Sequence, residues 1–284
     1  MYNHFMKLLN RVSPILGRET ETSDLSFYAP SPWKIVKCME SKLVYLQNPP
    51  EYEHLEEDLA WEKTRTIEKK KRVDEEPIRS AVSNRLKKLK GLTKRNKIRD
   101  MIKSYIAKNS LKGDIMMVDV GCAEGQTLIN TIAELPENVQ DRCIPNGIEI
   151  SKSLAEFAKK NAPKGHWVCN NAVDGMLEFA NNSIDIFVLR SFLEHEVNPV
   201  GLLKNAYNKL KDGGVIFIKV PNFNSFNRLY RKEKWCGFRH PDHVNYFTPE
   251  TLVKTCKKAG YSKIKMGLFD KQVFSDSMYA TLTK

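Results

Sequence analysis

Short apolar runs alternate with helix-period stretches through the chain beyond residue 110. The runs Ile115–Val120, Asn146–Ile150, His166–Cys169, Ile184–Leu189, Val215–Val220, Lys263–Phe269 and Met278–Leu282 have the length and β-branched character of buried strands. Between them, Gln126–Leu135, Lys152–Asn161 and Pro199–Lys211 read as helices. A further helix is opened by Thr248-Pro249-Glu250-Thr251 and runs to Ala259, with Pro136, Asp212-Gly213-Gly214 and Gly260 as stops. Strand–helix alternation of this kind predicts an α/β fold with a mostly parallel sheet and helices on both faces. The pattern before residue 110 differs. Pro32–Cys38 and Lys42–Leu46 read as a hairpin ended by Asn48-Pro49-Pro50, and residues 1–30 mix short apolar patches with polar residues, predicting partial order. Tyr52–Arg72 reads as a helix, acidic early and basic late, in keeping with the helix dipole. Ser83–Ser110 carries an apolar stripe of Leu86, Leu89, Leu92, Ile98, Ile102 and Ile106. The expected organisation is a hairpin and basic helical cap over 1–110 and an α/β domain over 111–284.

The strand Ile115–Val120 stops at Gly121-Cys122-Ala123-Glu124-Gly125 and a helix start follows. Strand, glycine turn and helix open a nucleotide-binding α/β domain. Gly121 and Gly125 let the backbone turn sharply and lie close to a flat ligand. The third glycine of the dinucleotide fingerprint is missing, so a ligand with adenosine and no phosphates fits better. Asp119, at the end of the strand, suits a cationic group such as an amino-acid ammonium. Glu149 ends the next strand, 24 residues after Gly125, where a carboxylate can accept both ribose hydroxyls.

With these residues in register, the run from Val118 to about Lys284 resembles a class I S-adenosylmethionine-dependent methyltransferase. It is most similar to the subgroup common in bacterial surface-glycan and small-molecule biosynthesis, and more distantly to ubiquinone-pathway O-methyltransferases. The resemblance implies a Rossmann-like sheet of seven strands and S-adenosylmethionine as cofactor, with Asp119, Gly121, Ala123, Gly125, Glu149, Asn171, Ala172 and Arg190 at its binding site. Asn171-Ala172 stands where the family usually has an Asp-Ala pair whose carboxylate meets the adenine amino group. An amide oxygen can accept the same hydrogen bond without a charge. Asp185 opens its strand as in the family, and Arg190-Ser191-Phe192-Leu193-Glu194-His195 resembles the family's Leu-Glu-His signature.

In a doubly wound sheet, ligands sit beyond the carboxyl ends of the strands, which makes His195 a candidate general base. The segment Phe223–Pro249 would be a lid over the acceptor pocket. Its run His240-Pro241-Asp242-His243-Val244-Asn245-Tyr246-Phe247-Thr248-Pro249 closely matches a signature of the subgroup, and His240 and His243 join His195 as catalytic candidates. Two His and an Asp could also hold a metal, but no further ligand is spaced for zinc, so no metal is expected. Related enzymes often carry a small zinc module with paired cysteines near the hairpin. Here Ser41 stands where the partner of Cys38 would be.

Composition narrows the picture. The six cysteines form no C-x-x-C pair, and several fall in strand-like runs, which suggests reduced core thiols. No apolar stretch approaches the roughly 18 residues of a membrane span, and the N-terminus lacks a signal-peptide pattern, so a cytoplasmic protein is expected. The formal charge is +12, and Glu62–Lys108 alone holds 17 Lys/Arg against 6 Asp/Glu. Such a segment can attract nucleic acid, anionic lipid or a phosphorylated substrate, or be the solvated face of helices.

Two function classes follow. The first is methyl transfer to a hydroxyl of a sugar, glycan precursor or other small molecule. The alternative is an RNA-binding protein or RNA methyltransferase using residues 62–108. Against RNA, the chain has no Asn/Asp-Pro-Pro-aromatic motif after the fourth strand and no RNA-binding module signature. Oligomeric state is not legible in the sequence.

Overall fold

The computed structural model describes residues 7–51 and 96–284. The expected helix Tyr52–Arg72, with Tyr52, Trp61 and Lys63, and the first half of the Ser83–Ser110 helix lie outside the described residues.

Three N-terminal strands come first: β1 (Thr22–Asp24), β2 (Ile35–Cys38) and β3 (Val44–Leu46). Helix α1 (Lys97–Lys108) leads to β4 (Ile115–Val120) and α2 (Gln126–Ile132). Next come β5 (Cys143–Glu149), α3 (Lys152–Asn161), β6 (Trp167–Cys169), β7 (Ile184–Arg190), α4 (Pro199–Lys209) and β8 (Leu210–Pro221). The chain closes with β9 (Asn245–Tyr246), α5 (Pro249–Lys258), β10 (Lys263–Lys265) and β11 (Ser277–Thr283).

The large sheet has seven strands in the order β10-β11-β8-β7-β4-β5-β6, and β11 alone runs against its neighbours. The expected seven-stranded, mostly parallel α/β architecture is therefore present. Its central strands are apolar on both faces, as a sheet covered twice requires. On one face Met117, Ile186, Val188 and Phe217 pack with Ile98, Ile102 and Ile106 of α1. On the other, Val118, Phe187, Leu189 and Ile218 pack with Leu202, Leu203 and Ala206 of α4 and Leu252 of α5. Asp185 pins the amino-terminal edge: its Oδ2 accepts from the Met116 N–H at 2.8 Å and pairs with Lys211 Nζ at 2.7 Å. That edge is opposite the ligand side, so Asp185 positions strands.

Two boundaries differ from the sequence reading. Asp212-Gly213-Gly214 lies inside the long strand β8 rather than forming a helix stop. Gly213, at φ 78°, turns the chain there, and the pairing with β7 shifts register between Ile184 and Ile186. Residues 11–28, expected to be partly ordered, are anchored. The buried Arg11 guanidinium donates to the carbonyls of Leu46 (3.1 Å), Val244 (2.9 Å) and Val197 (2.7 Å) and to Asn245 Oδ1 (2.9 Å).

The hairpin forms as read, and joins a second, antiparallel sheet ordered β1-β2-β3-β9. Strand β9 comes from the Phe223–Pro249 segment, pairing Tyr246 with Val44. Trp33, Ile35 and Leu46 then share one apolar cluster with Phe223, Trp235, Phe238 and Tyr246. The segment expected as a lid is thus a packed wall, with Phe223, Trp235, Phe238 and Tyr246 buried against the N-terminal sheet while Phe226 and Tyr230 stay exposed. No helix among the described residues is long and apolar enough to cross a membrane.

Candidate active site

The glycine turn after β4 is built from left-handed backbone. Gly121 (φ 68°), Ala123 (φ 47°) and Gly125 (φ 74°) all have positive φ, a region that costs a residue with a Cβ about 1–2 kcal/mol. Ala123 bears that strain, and its N–H is held by Glu149 Oε2 at 2.7 Å. The N–H groups of Gly121 and Cys122 both donate to the Ile148 carbonyl, at 2.8 and 3.2 Å. The turn is thereby clamped to the tip of β5. A Cβ on Gly121 would lie 2.5 Å from Phe192 Cδ2, and one on Gly125 would lie 2.7 Å from Trp167 Cη2. The Phe192 ring therefore stands directly over the turn.

Two carboxylates line this end of the sheet. Glu149 is 7% exposed; its Oε1 accepts the Ser151 N–H at 3.1 Å. Asp119 is 2% exposed, and burial pushes its carboxyl up to about 7, against the pull of the Arg190 charge and a hydrogen bond from the Thr127 side chain. Arg190, exposed at the end of β7, lies 3.4 Å from Thr127 Oγ1. Asn171 caps the short helix Ala172–Gly175. Its Oδ1 accepts from the Asp174 N–H at 3.0 Å and its amide donates to Asp174 Oδ2 at 2.7 Å. The sequence reading gave that oxygen to an adenine; the structure shows it already serving as a cap, with one lone pair remaining. Ala172 is buried behind it.

Past β7 the chain turns through Phe192, Leu193 and Glu194 to His195. The His195 Nδ1–H faces two acceptors, Asp242 Oδ1 at 2.9 Å and the Asp242 carbonyl at 3.0 Å. Arg239 Nη2 holds the other carboxylate oxygen at 3.0 Å. Burial acts to lower the His195 pKa, but the Asp242 charge and hydrogen bond outweigh it and raise the value to about 9. At neutral pH the ring is an imidazolium, which suits it to stabilise negative charge more than to take a proton. His243 is the reverse case. It is 5% exposed, and burial together with the His195 charge pushes its pKa well below the usual range, leaving a neutral ring. Its Nδ1–H donates to the Gly237 carbonyl at 2.8 Å, and its ring meets that of His195 edge-on, centroids 4.6 Å apart.

His240, the third candidate, stands apart from this pair. Its ring nitrogens lie 3.2 Å from Tyr246 Oη and 3.3 Å from the Tyr28 carbonyl, and its ring stacks on Phe238. It ties the wall to the N-terminal sheet. Sequence reasoning passed over Glu194, although the Leu-Glu-His signature contains it. Glu194 is 1% exposed, burial raises its pKa, and its Oε2 has no hydrogen-bond partner. Ligand atoms of Glu194, His195 and His243 all lie within 4.8 Å of one another. The sequence offered no third ligand near His240–His243; the fold brings two from the end of β7.

Comparison with known proteins bears on the family and the fold. A profile described as a methyltransferase domain matches residues 93–265. An uncharacterized protein of Methanocaldococcus jannaschii is 28% identical over 120 residues, and the match spans 42% of this chain and 56% of that protein. Among solved structures, the DszA carbon methyltransferase aligns with a TM-score of 0.52 at 12% identity, covering 69% of this chain and 57% of that one. An O-methyltransferase candidate from Nostoc punctiforme aligns at 0.50 and 17% identity, covering 66% and 56%. These likenesses are of fold.

The residues present fit S-adenosylmethionine. A buried carboxylate (Asp119) can meet its ammonium, a second at a strand tip (Glu149) its ribose, and the positive-φ turn gives a close backbone approach. The chain belongs to the methyltransferase-domain family, the class I S-adenosylmethionine-dependent methyltransferases.

Proposed function

We propose that the protein transfers a methyl group to a hydroxyl oxygen of a sugar, glycan precursor or other small molecule. The observation that carries this reading is the pairing of two walls at one end of the sheet. Phe192 covers Gly121 of the cofactor turn, and three residues further on His195 is bonded to Asp242 of the Phe223–Pro249 wall. An acceptor seated beside the turn meets both.

S-adenosylmethionine supplies a sulfonium-bound methyl whose leaving thioether is neutral. What remains for the protein is alignment, which is worth on the order of 7–11 kcal/mol in well-oriented reactions. Asp119 would meet the ammonium of the cofactor and Glu149 its ribose hydroxyls, with Asn171 and Ala172 toward the base and the Arg190 charge acting on Asp119. On the acceptor side His243 offers a neutral ring able to receive a hydroxyl proton, and the His195 imidazolium steadies the developing oxyanion. His240 orders the wall that carries His243.

RNA is not favoured. In the described part of the basic segment, Lys97 pairs with Asp270, and Arg99 and Lys103 both pair with Glu134, so these charges are answered within the fold. The test is a transfer assay with labelled cofactor against sugar, catechol and RNA acceptors. Label in a hydroxylated small molecule, lost in His243→Gln, supports the reading. Label in RNA alone overturns it.

A further inference from the structure

We propose that Glu194, His195 and His243 form a binding site for a divalent transition-metal cation of the zinc type. The binding claim stands without the methyltransferase reading; only its use in transfer rests on it.

Three observations carry it. The first is convergence: two imidazoles and a carboxylate, from the end of β7 and from the wall, bring their ligand atoms within 4.8 Å of one another. The second is an orphaned acceptor. Glu194 is 1% exposed and its Oε2 has no hydrogen-bond partner, a state that is costly for a carboxylate unless a cation or donor meets it. The third is the outer shell. Histidines that bind metals nearly always donate the other ring N–H to a carboxylate or a backbone carbonyl. Here His195 Nδ1 donates to Asp242 and His243 Nδ1 to the Gly237 carbonyl, so Nε2 is the coordinating nitrogen of each, and the His195 ring, an imidazolium in the free protein, releases its Nε2 proton as the ion binds. Asp242 is in turn held by Arg239.

The backbone is fixed as well. The Glu194 carbonyl accepts the N–H groups of Val244 at 2.8 Å and Asn245 at 3.0 Å, locking the turn that carries Glu194 and His195 to the loop that carries His243. Zinc sits about 2.0–2.1 Å from an imidazole nitrogen, so the ligand atoms, now within 4.8 Å of one another, would draw closer on binding an ion. Two histidines and one carboxylate leave further positions open, the arrangement of a catalytic rather than a structural centre. Such a position would take water or an oxygen of the acceptor, and with the ion bound it would replace the two rings in the acid–base roles given above, since both Nε2 atoms are then occupied.

The test uses the full chain after dialysis against a chelator. It is titrated with Zn²⁺ alone by calorimetry and with Co²⁺ alone by visible absorption. The expected result is one ion per chain with a nitrogen–oxygen cobalt spectrum. Affinity should fall at least about tenfold in both Glu194→Gln and His243→Gln, with circular dichroism unchanged. No uptake by the wild-type chain, or equal uptake in both variants, overturns the proposal. A cobalt–thiolate band would also overturn it, placing the ion on a cysteine such as the exposed Cys169, and this readout decides even if the variants fail to fold. S-adenosylmethionine is titrated on the same sample. Cofactor binding without metal uptake removes this inference alone; metal uptake without cofactor binding removes the cofactor reading alone.

Discussion

His195 and Asp242 join the end of β7 to the Phe223–Pro249 wall through a hydrogen bond of 2.9 Å, with the Asp242 carbonyl accepting from the same nitrogen at 3.0 Å. Both side chains are largely shielded, at 24% and 19% exposure, so solvent screens the pair only in part. Replacing Asp242 with Ala removes a charged hydrogen-bond partner, worth about 1.5–3 kcal/mol, and with it the Arg239–Asp242 ion pair. Denaturant unfolding should show a loss of about 2 kcal/mol, and turnover should fall further than stability predicts, because His195 loses its orientation. An unchanged turnover would mean that this pair only braces the wall.

Arg11 is the larger structural tie. Its guanidinium satisfies three carbonyls and one amide oxygen from three parts of the chain. Arg11→Ala leaves these buried acceptors unmet and should cost about 3 kcal/mol or more. Arg11→Lys recovers little, since an ammonium cannot reach a fork of four acceptors. The midpoint of urea unfolding checks both.

Gly121 tests the turn. Alanine at φ 68° is strained by about 1–2 kcal/mol, and its Cβ would fall 2.5 Å from Phe192 Cδ2. Gly121→Ala should weaken cofactor binding and lower the melting temperature. Adding Phe192→Ala removes the clash but not the φ strain, so the double variant should recover part of the loss. Full recovery would show that backbone strain contributes nothing.

Asp119 gives the pH dependence. With its carboxyl raised to about 7 in the free protein, the ionised form that meets an ammonium becomes dominant only above that pH. Cofactor affinity should therefore climb as pH rises from about 5 to about 7, with a proton released on binding. It should decline again near 8, where an α-amino group loses its own proton. Linkage also acts on folding. Between about pH 4 and 7 the unfolded chain ionises Asp119 and the folded chain does not, so this group lowers stability as pH rises. Asp119→Asn should lack both the acid limb of binding and this component of the stability profile; calorimetry across pH checks the first and thermal melts the second.

Much of the α/β domain was legible in the sequence because its information is local. Buried strands such as Ile184–Arg190 are continuous apolar runs, and Thr248 with Thr251 forms the capping box that the sequence announces. The cofactor turn is likewise local, since Gly121, Gly125 and the acid at the tip of β5 have fixed spacing. What escaped depends on contacts between distant segments. Nothing near Asn245-Tyr246 says that it completes a sheet begun at Thr22. Nothing near Glu194 says that its unpartnered oxygen will lie beside His243. Arg11 reads as a surface charge until its four acceptors are assembled around it. The strand through Asp212-Gly213-Gly214 was missed for a different reason: a glycine pair signals a turn, and here the turn is absorbed into a register shift.

The central claim is that the turn and the two acids hold S-adenosylmethionine, and calorimetric titration of the wild-type chain and Glu149→Ala tests it most directly. The account predicts one cofactor per wild-type chain. It predicts an affinity about 10–100-fold lower in the variant, the loss of a charge-assisted hydrogen bond to ribose, with the melting temperature showing that the variant remains folded. Equal affinity in the two proteins would contradict it.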